Sequence, residues 1–276
     1  DLCADASRNI YCAASDGILY SFSFEGKRRF AIRYSDTNNL ICTDVLCMQD
    51  GVVLADSKGL FTKISFVGRV LWRWQASLPT LQTFAADENG AIYAAITHND
   101  THESDTLIKL TSNGTCEWKL ALPSKRVITS PTVSNGVISI GVVHGGTSPE
   151  LLSCSSTGII RHTIPLRATP RGLSVASNGT VFCTGYNAGL GEPQSVIQAF
   201  GLDGREEWYL HFGCRLVSSP MLSATNIAVI GMRGDALAVY LVDKKGVLER
   251  FVSLDTAPSI LLKAAVAPDG TLVFAG

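Results

Sequence analysis

Residues 98–105 contain the densest group of metal-binding side-chain types in the chain. Two imidazoles, His98 and His102, are separated by three residues, and the carboxylates of Asp100, Glu103 and Asp105 lie beside them. A His-x₃-His pair binds zinc when a helix brings both rings to one face. The remaining Asn, Thr and Ser residues of this segment favour a loop instead. We therefore predict a polar, solvated loop without a metal, in which His98 and His102 are the candidate ligands if one binds.

Catalytic motifs of other kinds are missing from the sequence. No Gly-x-Ser-x-Gly motif of a serine hydrolase occurs. Two glycine-rich segments, 141–146 and 185–191, resemble phosphate or oxyanion loops, but the strand-to-helix context that such loops require is lacking. The sequence therefore predicts no catalytic residue and no cofactor.

The eight cysteines form neither a CxxC nor a Cys-Cys motif. Most of them lie in apolar runs, as Cys12 and Cys183 do, where a free thiol serves as a small hydrophobic side chain. Free thiols favour a cytoplasmic protein, whereas glycosylation sequons at Asn99, Asn113 and Asn178 favour a secretory route. The compartment therefore stays open.

Composition and charge exclude two classes of partner. The formal net charge is −1, and binding to nucleic acid requires a basic face that displaces counterions. No apolar run reaches the roughly 18–20 residues of a membrane-spanning helix, so no transmembrane segment is predicted. The chain begins at Asp1 without an initiator methionine, and we expect a fragment or a processed product.

The elements that must position these residues come from an internal repeat. A turn that ends in glycine recurs at spacings of 42, 46, 44, 46 and 42 residues, by subtraction of successive positions. A constant period of this length indicates a repeat protein. The turn glycines are Gly26, Gly68, Gly114, Gly158, Gly204 and Gly246.

Each period predicts four short antiparallel strands. In the second copy, β-rich runs at 41–47, 52–56, 60–66 and 70–74 are separated by Gly and Asp turns, as in one blade of a β-propeller. We expect an all-β chain with a single β-propeller domain over 1–276, six complete blades and a half seventh, in a seven-bladed ring. The expected blades are 1–35, 40–78, 81–122, 127–166, 169–212, 215–254 and, in part, 258–276.

The half blade at 258–276 leaves a strand edge without a partner. Such an edge can pair with a strand of another chain. We therefore expect association through the seventh blade, and the alternative is that the chain is a piece of a larger ring.

The repeat resembles that of the quinoprotein-like (PQQ-type) propeller family. The similarity rests on the runs 90–118 and 179–208, each of which ends in Gly, a few residues and Trp, and on Ser130-Pro131 and Ser219-Pro220, which match the start of the innermost strand in that family. The family includes quinone-dependent dehydrogenases, outer-membrane assembly lipoproteins and domains without a cofactor. The dehydrogenases hold their quinone against a vicinal Cys-Cys disulfide, which this chain lacks, so the resemblance implies the fold rather than the chemistry.

A large side chain follows most turn glycines at a distance of four residues. We expect these side chains to pack across onto the next blade, where each aromatic ring would contribute about 2–3 kcal/mol through burial. They are Phe30, Trp72, Trp118, His162, Trp208 and Arg250, the last followed by Phe251.

Copies three to five are longer than their siblings between the second and the third strand. The extra residues predict three loops, at 98–105, 144–149 and 186–193, which would emerge on one face of neighbouring blades. Loops on a rigid scaffold commonly carry binding, and unselected variation in exposed loops is the alternative. The candidate partner-binding residues are His98, Asp100, His102, Glu103, Asp105, His144, Tyr186, Asn187 and Leu190.

The sequence thus favours a non-catalytic scaffold that binds a protein or peptide through this face. Two other functions stay open. One is an enzyme with a metal or quinone-type cofactor in the central channel, and the other is an envelope or membrane-associated assembly factor.

Overall fold

Every regular element of the described chain is a β-strand. The computed structural model describes residues 2–35, 42–76, 81–97, 104–187, 194–233, 236–254, 263–266 and 272–275. Within these ranges no helix is long and apolar enough to cross a membrane. The contacts group the chain into two compact units, one of residues 1–126 with 156–158 and the other of 127–155 with 159–276.

The first unit contains three sheets, each of four consecutive antiparallel strands. Their strands are β1 (Leu2–Ala4), β2 (Ile10–Ala13), β3 (Ile18–Phe22) and β4 (Arg28–Arg33); β5 (Cys42–Cys47), β6 (Gly51–Asp56), β7 (Leu60–Ser65) and β8 (Val70–Gln75); β9 (Leu81–Ala86), β10 (Ile92–Thr97), β11 (Thr106–Leu110) and β12 (Cys116–Ala121).

Three further sheets of the same antiparallel design and a two-stranded seventh follow, and they belong to the second unit except for residues 125–126 and 156–158. Their strands are β13 (Lys125–Val127), β14 (Thr132–Ser134), β15 (Val137–His144), β16 (Ser148–Ser155) and β17 (Ile160–Pro165); β18 (Thr169–Val175), β19 (Val181–Asn187), β20 (Gln194–Phe200) and β21 (Glu206–Phe212); β22 (Arg215–Leu216), β23 (Met221–Leu222), β24 (Asn226–Arg233), β25 (Ala236–Asp243) and β26 (Leu248–Leu254); β27 (Lys263–Val266) and β28 (Leu272–Ala275).

The first strands of the fourth and sixth sheets are each divided in two. In the fourth sheet β13 and β14 both lie on β15, and in the sixth β22 and β23 both lie on β24. Ser130-Pro131 and Ser219-Pro220 lie at the two breaks, because proline cannot donate a ladder hydrogen bond. The described chain therefore has 28 strands, two more than the 26 that the repeat predicts.

Aspartates and glycines form the turns between the strands. The Asp56 carboxylate accepts hydrogen bonds from the backbone N–H groups of Lys58 and Leu60, at 2.9 and 3.0 Å. Asp87 and Asp243 accept the equivalent pairs two and four residues further on. The turn glycines all have φ between +78° and +88°, which a residue with a Cβ adopts only at a cost.

The apolar core lies between consecutive sheets within each unit. Side chains of the second sheet, such as Val53 and Phe61, pack with Phe84, Ile92 and Ile108 of the third. The same pattern joins the first sheet to the second and the fifth to the sixth. Because strands two and three of a sheet are covered on both faces, β6 has six buried residues in a row instead of an alternating pattern.

Five of the six side chains that follow the turn glycines pack on the next sheet, as predicted, whereas Arg250 and the neighbouring Phe251 are exposed. A Cβ built on Gly114 would lie 2.6 Å from the Trp72 ring, and one on Gly246 would lie 2.6 Å from the Trp208 ring. The indole of Trp72 also donates to the carbonyl of Ser112 at 2.9 Å. Phe30 covers Gly68 and His162 covers Gly204 in the same way, so His162 is a packing residue between sheets.

Candidate functional site

The structure describes four of the nine predicted partner-binding residues. Asp105, His144, Tyr186 and Asn187 lie in the described ranges. The other five, which include both metal candidates, lie outside them: His98, Asp100, His102, Glu103 and Leu190. The predicted cluster of three loops therefore stays a prediction, and the site can be built only from the described residues.

Asp105 does not offer a contact surface. Its side chain is fully buried and lies 3.6 Å from the guanidinium of Arg126. A buried carboxylate is retained when a cation or hydrogen bonds compensate its lost hydration. The burial argues against the predicted partner contact and indicates that Asp105 holds the start of β11 in place.

His144 lies in a longer hairpin than the sequence predicts. The expected loop 144–149 is a continuation of β15 and β16, in which His144 pairs with Ser148. Gly145 and Gly146 close this hairpin with φ values of +58° and +80°, so the extra residues extend the strands rather than a loop. The half-exposed imidazole lies 3.7 Å from the Glu150 carboxylate.

Tyr186, at the end of β19, lies within 6 Å of two arginines. The guanidinium carbon of Arg171 is 5.9 Å from the centre of the Tyr186 ring, and that of Arg215 is 5.8 Å from it. Arg171 belongs to the fifth sheet, whereas Arg215 begins the sixth. Cations within about 6 Å of an aromatic ring are attracted by its quadrupole, so the Tyr186 ring attracts both guanidiniums.

Local backbone features place the two arginines. The ladder between β18 and β19 shifts register between Pro170 and Gly172, which makes Arg171 the extra residue of a β-bulge. Bulges re-aim a side chain and often occur beside functional sites. A Cβ on Gly172 would lie 2.6 Å from the Cα of Ser219, so the glycine permits the sixth sheet to approach the fifth closely.

A second arginine group lies on the same sheet. Asn187 donates to the backbone carbonyl of Arg167 at 2.9 Å. The Arg167 guanidinium forms a two-pronged ion pair with Glu206, at 2.8 and 3.0 Å, and stacks 3.7 Å from the Tyr209 ring centre. Hydrogen bonding to Glu206 raises the pKa of Arg167. The Glu206 carboxylate therefore already compensates the positive charge of Arg167, and Asn187 holds the Arg167 backbone in place.

Arg171 and Arg215 differ from Arg167 in their ion pairing. Both are exposed and, among the described residues, no carboxylate forms an ion pair with either. Two guanidiniums on one half-buried tyrosine form a site that can donate several hydrogen bonds to an anion. Guanidinium groups bind carboxylates in a two-pronged geometry. We refer to Arg171, Tyr186 and Arg215 as the Arg-Tyr-Arg site.

No other ligand chemistry emerges from the described part of the chain. Within it, no three His, Cys, Asp or Glu side chains are grouped so that they could hold a metal ion. The Arg-Tyr-Arg site is thus the arrangement from which a functional proposal can be built.

Comparison with solved structures identifies the fold. BamB from Moraxella catarrhalis is 17% identical to this chain, with a TM-score of 0.64 over 99% of this chain and 81% of BamB. A chain of the mitotic checkpoint complex is 13% identical, with a TM-score of 0.73 over 99% of this chain and 82% of that one. The Dos1 propeller is 12% identical, with a TM-score of 0.72 over 99% of this chain and 74% of that one. These chains are β-propellers.

The chain therefore has a β-propeller fold with six complete blades and a two-stranded seventh, which confirms the predicted fold class. No protein-family model matches the chain, and no curated protein matches its sequence. At the identities of the structural matches, the likeness establishes the fold alone.

Proposed function

We propose that this β-propeller is a non-catalytic scaffold that binds an acidic segment of a partner protein at the Arg-Tyr-Arg site. The observation that carries the proposal is that the exposed guanidiniums of Arg171 and Arg215 lie 5.9 and 5.8 Å from the centre of the Tyr186 ring. One of the similar propellers was solved within an assembly, the mitotic checkpoint complex, which supports a role in protein binding.

The chemistry of the site favours carboxylates on an extended peptide. Arginine and tyrosine are the side chains that most often dominate protein interfaces. The tyrosine adds apolar area at little entropic cost, and the arginines add charge that steers an acidic partner toward the site. The overall net charge of −1 makes this local positive charge a property of the site rather than of the whole surface.

Two further parts of the proposal concern family and assembly. The turn-glycine and tryptophan spacing and the likeness to BamB, which has a PQQ-like repeat fold, support membership of the quinoprotein-like repeat family. Among the described strands, β27 and β28 pair only with each other, which supports association with another chain through this sheet. The same repeat supports our proposal that residues 1–276 form a single domain with the blade limits given above.

Binding of a defined acidic probe tests the function. The probe is a fluorescein-labelled library of Asp- and Glu-containing peptides, and its counterpart carries Asn and Gln at the same positions. We expect the acidic library to contain binders by fluorescence anisotropy, and the double variant R171A/R215A to weaken them at least roughly 100-fold, since each of the two arginines would lose a charged hydrogen bond of about 1.5–3 kcal/mol.

The matched control is R161A/R205A, which removes the same charge from exposed positions elsewhere in the second unit. This variant should bind the acidic peptides like the original chain. Equal weakening by both double variants would show that only net charge matters, and equal binding of the Asn/Gln peptides would exclude carboxylate recognition.

A further inference from the structure

Two thiols on different sheets lie close together in the first unit. The Sγ atoms of Cys3, on β1, and Cys47, on β5, are 2.7 Å apart. These strands are the first of their sheets and pack against each other without a shared ladder. We propose that Cys3 and Cys47 are a redox-active pair that forms a disulfide across the first two sheets by exchange with a disulfide oxidant.

The geometry requires little movement to form this bond. A disulfide has an S–S length of about 2.0 Å, so the sulfur atoms must approach by about 0.7 Å, which is 2.7 minus 2.0. Both side chains are partly buried, not fully enclosed. A small oxidant can therefore reach the pair without unfolding of the sheets.

The other described thiols have different surroundings. Cys42 and Cys116 donate to backbone carbonyls of residues on their own strands, at 3.4 and 3.7 Å. Cys154 and Cys183 are fully buried, at 0% and 1% exposure, so a disulfide oxidant cannot reach their sulfur atoms in the folded chain. The oxidant therefore reacts selectively with Cys3 and Cys47, because these two thiols are close together and partly exposed.

The reaction balances as a thiol–disulfide exchange. The thiolate of one cysteine attacks a sulfur of the oxidant, which releases one reduced thiol and leaves a mixed disulfide. The second protein cysteine then attacks the protein sulfur of that mixed disulfide, forms the Cys3–Cys47 bond and releases the second reduced thiol. Two protein thiols are oxidised, one oxidant disulfide is reduced, and each attacking thiol loses its proton to solvent.

The surroundings of Cys3 make the exchange slow. The hydrogen bond with Cys47, burial and the carboxylates of Asp44 and Asp5 all raise the pKa of Cys3 above its usual value. The thiolate of Cys3 is therefore scarce at neutral pH. Both cysteines remain thiols on brief exposure to a disulfide oxidant and form the disulfide only on prolonged exposure.

The test is incubation of the native chain with oxidised glutathione, followed by thiol counting after denaturation. We expect the count to fall from eight to six. Tryptic digestion should yield peptide 1–8 linked to peptide 34–58. The latter also contains Cys42, so fragmentation must place the bond on Cys47.

Three variants separate the proposed pair from general oxidation. C3S and C47S should each form no intramolecular disulfide and lose at most one of seven thiols, as a mixed disulfide with glutathione, whereas C12S should lose two of its seven without bound glutathione. Eight retained thiols in the native chain, or a link from Cys3 to any other cysteine, would overturn the proposal. Should a serine variant fail to fold, the peptide map of the native chain decides the question alone.

Discussion

The side chain of Lys63 is only 2% exposed, yet it carries a charge inside the second sheet. Its ammonium lies 2.7 Å from the Asp50 carboxylate and donates to the carbonyl of Ser112 at 3.2 Å. Removing one partner of a buried ion pair is costly because the other charge stays desolvated, whereas an apolar replacement of the buried member is tolerated. The side chain of Asp50 is 60% exposed, so water can solvate it alone.

The two partners should therefore respond unequally to mutation. We expect D50N to lower the free energy of unfolding by about 2–3 kcal/mol and K63M by about 1 kcal/mol or less. Urea denaturation measures both. The control E117Q removes the acid of the Lys109–Glu117 pair, whose lysine is 15% exposed instead of 2%, and should cost under about 0.5 kcal/mol. A larger loss in K63M than in D50N would contradict the argument.

Tyr11 predicts a pH dependence at the alkaline end. Burial, followed by the hydrogen bond that its hydroxyl donates to Asp5, raises the pKa of Tyr11 to about 12 from 10.0. A raised pKa in the folded state means that the stability contribution is complete below pH 10 and is lost as pH rises toward 12.

The measurement is urea unfolding of the native chain and of Y11F at several pH values. We expect the native chain to lose stability relative to Y11F between about pH 10 and pH 12, because in this range the phenol is ionised in the unfolded chain and must take up a proton on folding. A stability difference that stays constant over this range would exclude the raised pKa.

At the level of single residues, the sequence predicted part of the site. Tyr186 and Asn187 were identified by their place in a longer copy of the repeat. Arg171 and Arg215 were not, because they lie on different sheets and only the fold brings them to one ring. The sequence does contain a signal for Arg215, because Arg126 and Arg215 occupy the same position of the repeat, four residues before a Ser-Pro pair.

The contact between a tryptophan and a turn glycine is the element that repeats from sheet to sheet. G114A should cost more than G26A. Both glycines have φ near +80°, so both variants carry the cost of about 1–2 kcal/mol for a left-handed backbone. A Cβ on Gly26 meets nothing within 4 Å, whereas one on Gly114 meets the Trp72 ring at 2.6 Å. We expect an additional loss of about 1–3 kcal/mol in G114A, measured by urea denaturation.

A double-mutant cycle isolates the ring contact. In the background of W72A the extra cost of G114A should vanish, which leaves a penalty like that of G26A. If G114A costs the same with and without Trp72, the ring does not limit this turn.

The elements themselves were largely predictable because turn glycines, Asp turns and strand alternation are local signals. The exceptions have physical reasons. Proline divided the first strands of two sheets, and two consecutive glycines turned the expected loop at 144–149 into a longer hairpin. Both outcomes depend on ladder hydrogen bonds between strands, which the linear sequence does not display.

For the whole molecule, the repeat predicted the propeller fold but not its activity. The blades are scaffold, and the Arg-Tyr-Arg site arises where one copy departs from the pattern through the bulge at Arg171. An acidic partner held there should also be sensitive to salt, because exposed charges are screened over about 8–10 Å at physiological ionic strength. The central claim is that this site, rather than another part of the surface, binds the partner.

Amide hydrogen exchange with and without a bound acidic peptide tests that claim most directly. We predict that the peptide slows exchange at the start of β18, the end of β19 and in β22, and that R171A/R215A abolishes this protection. Protection confined to other sheets, or protection that the double variant retains, would contradict the account.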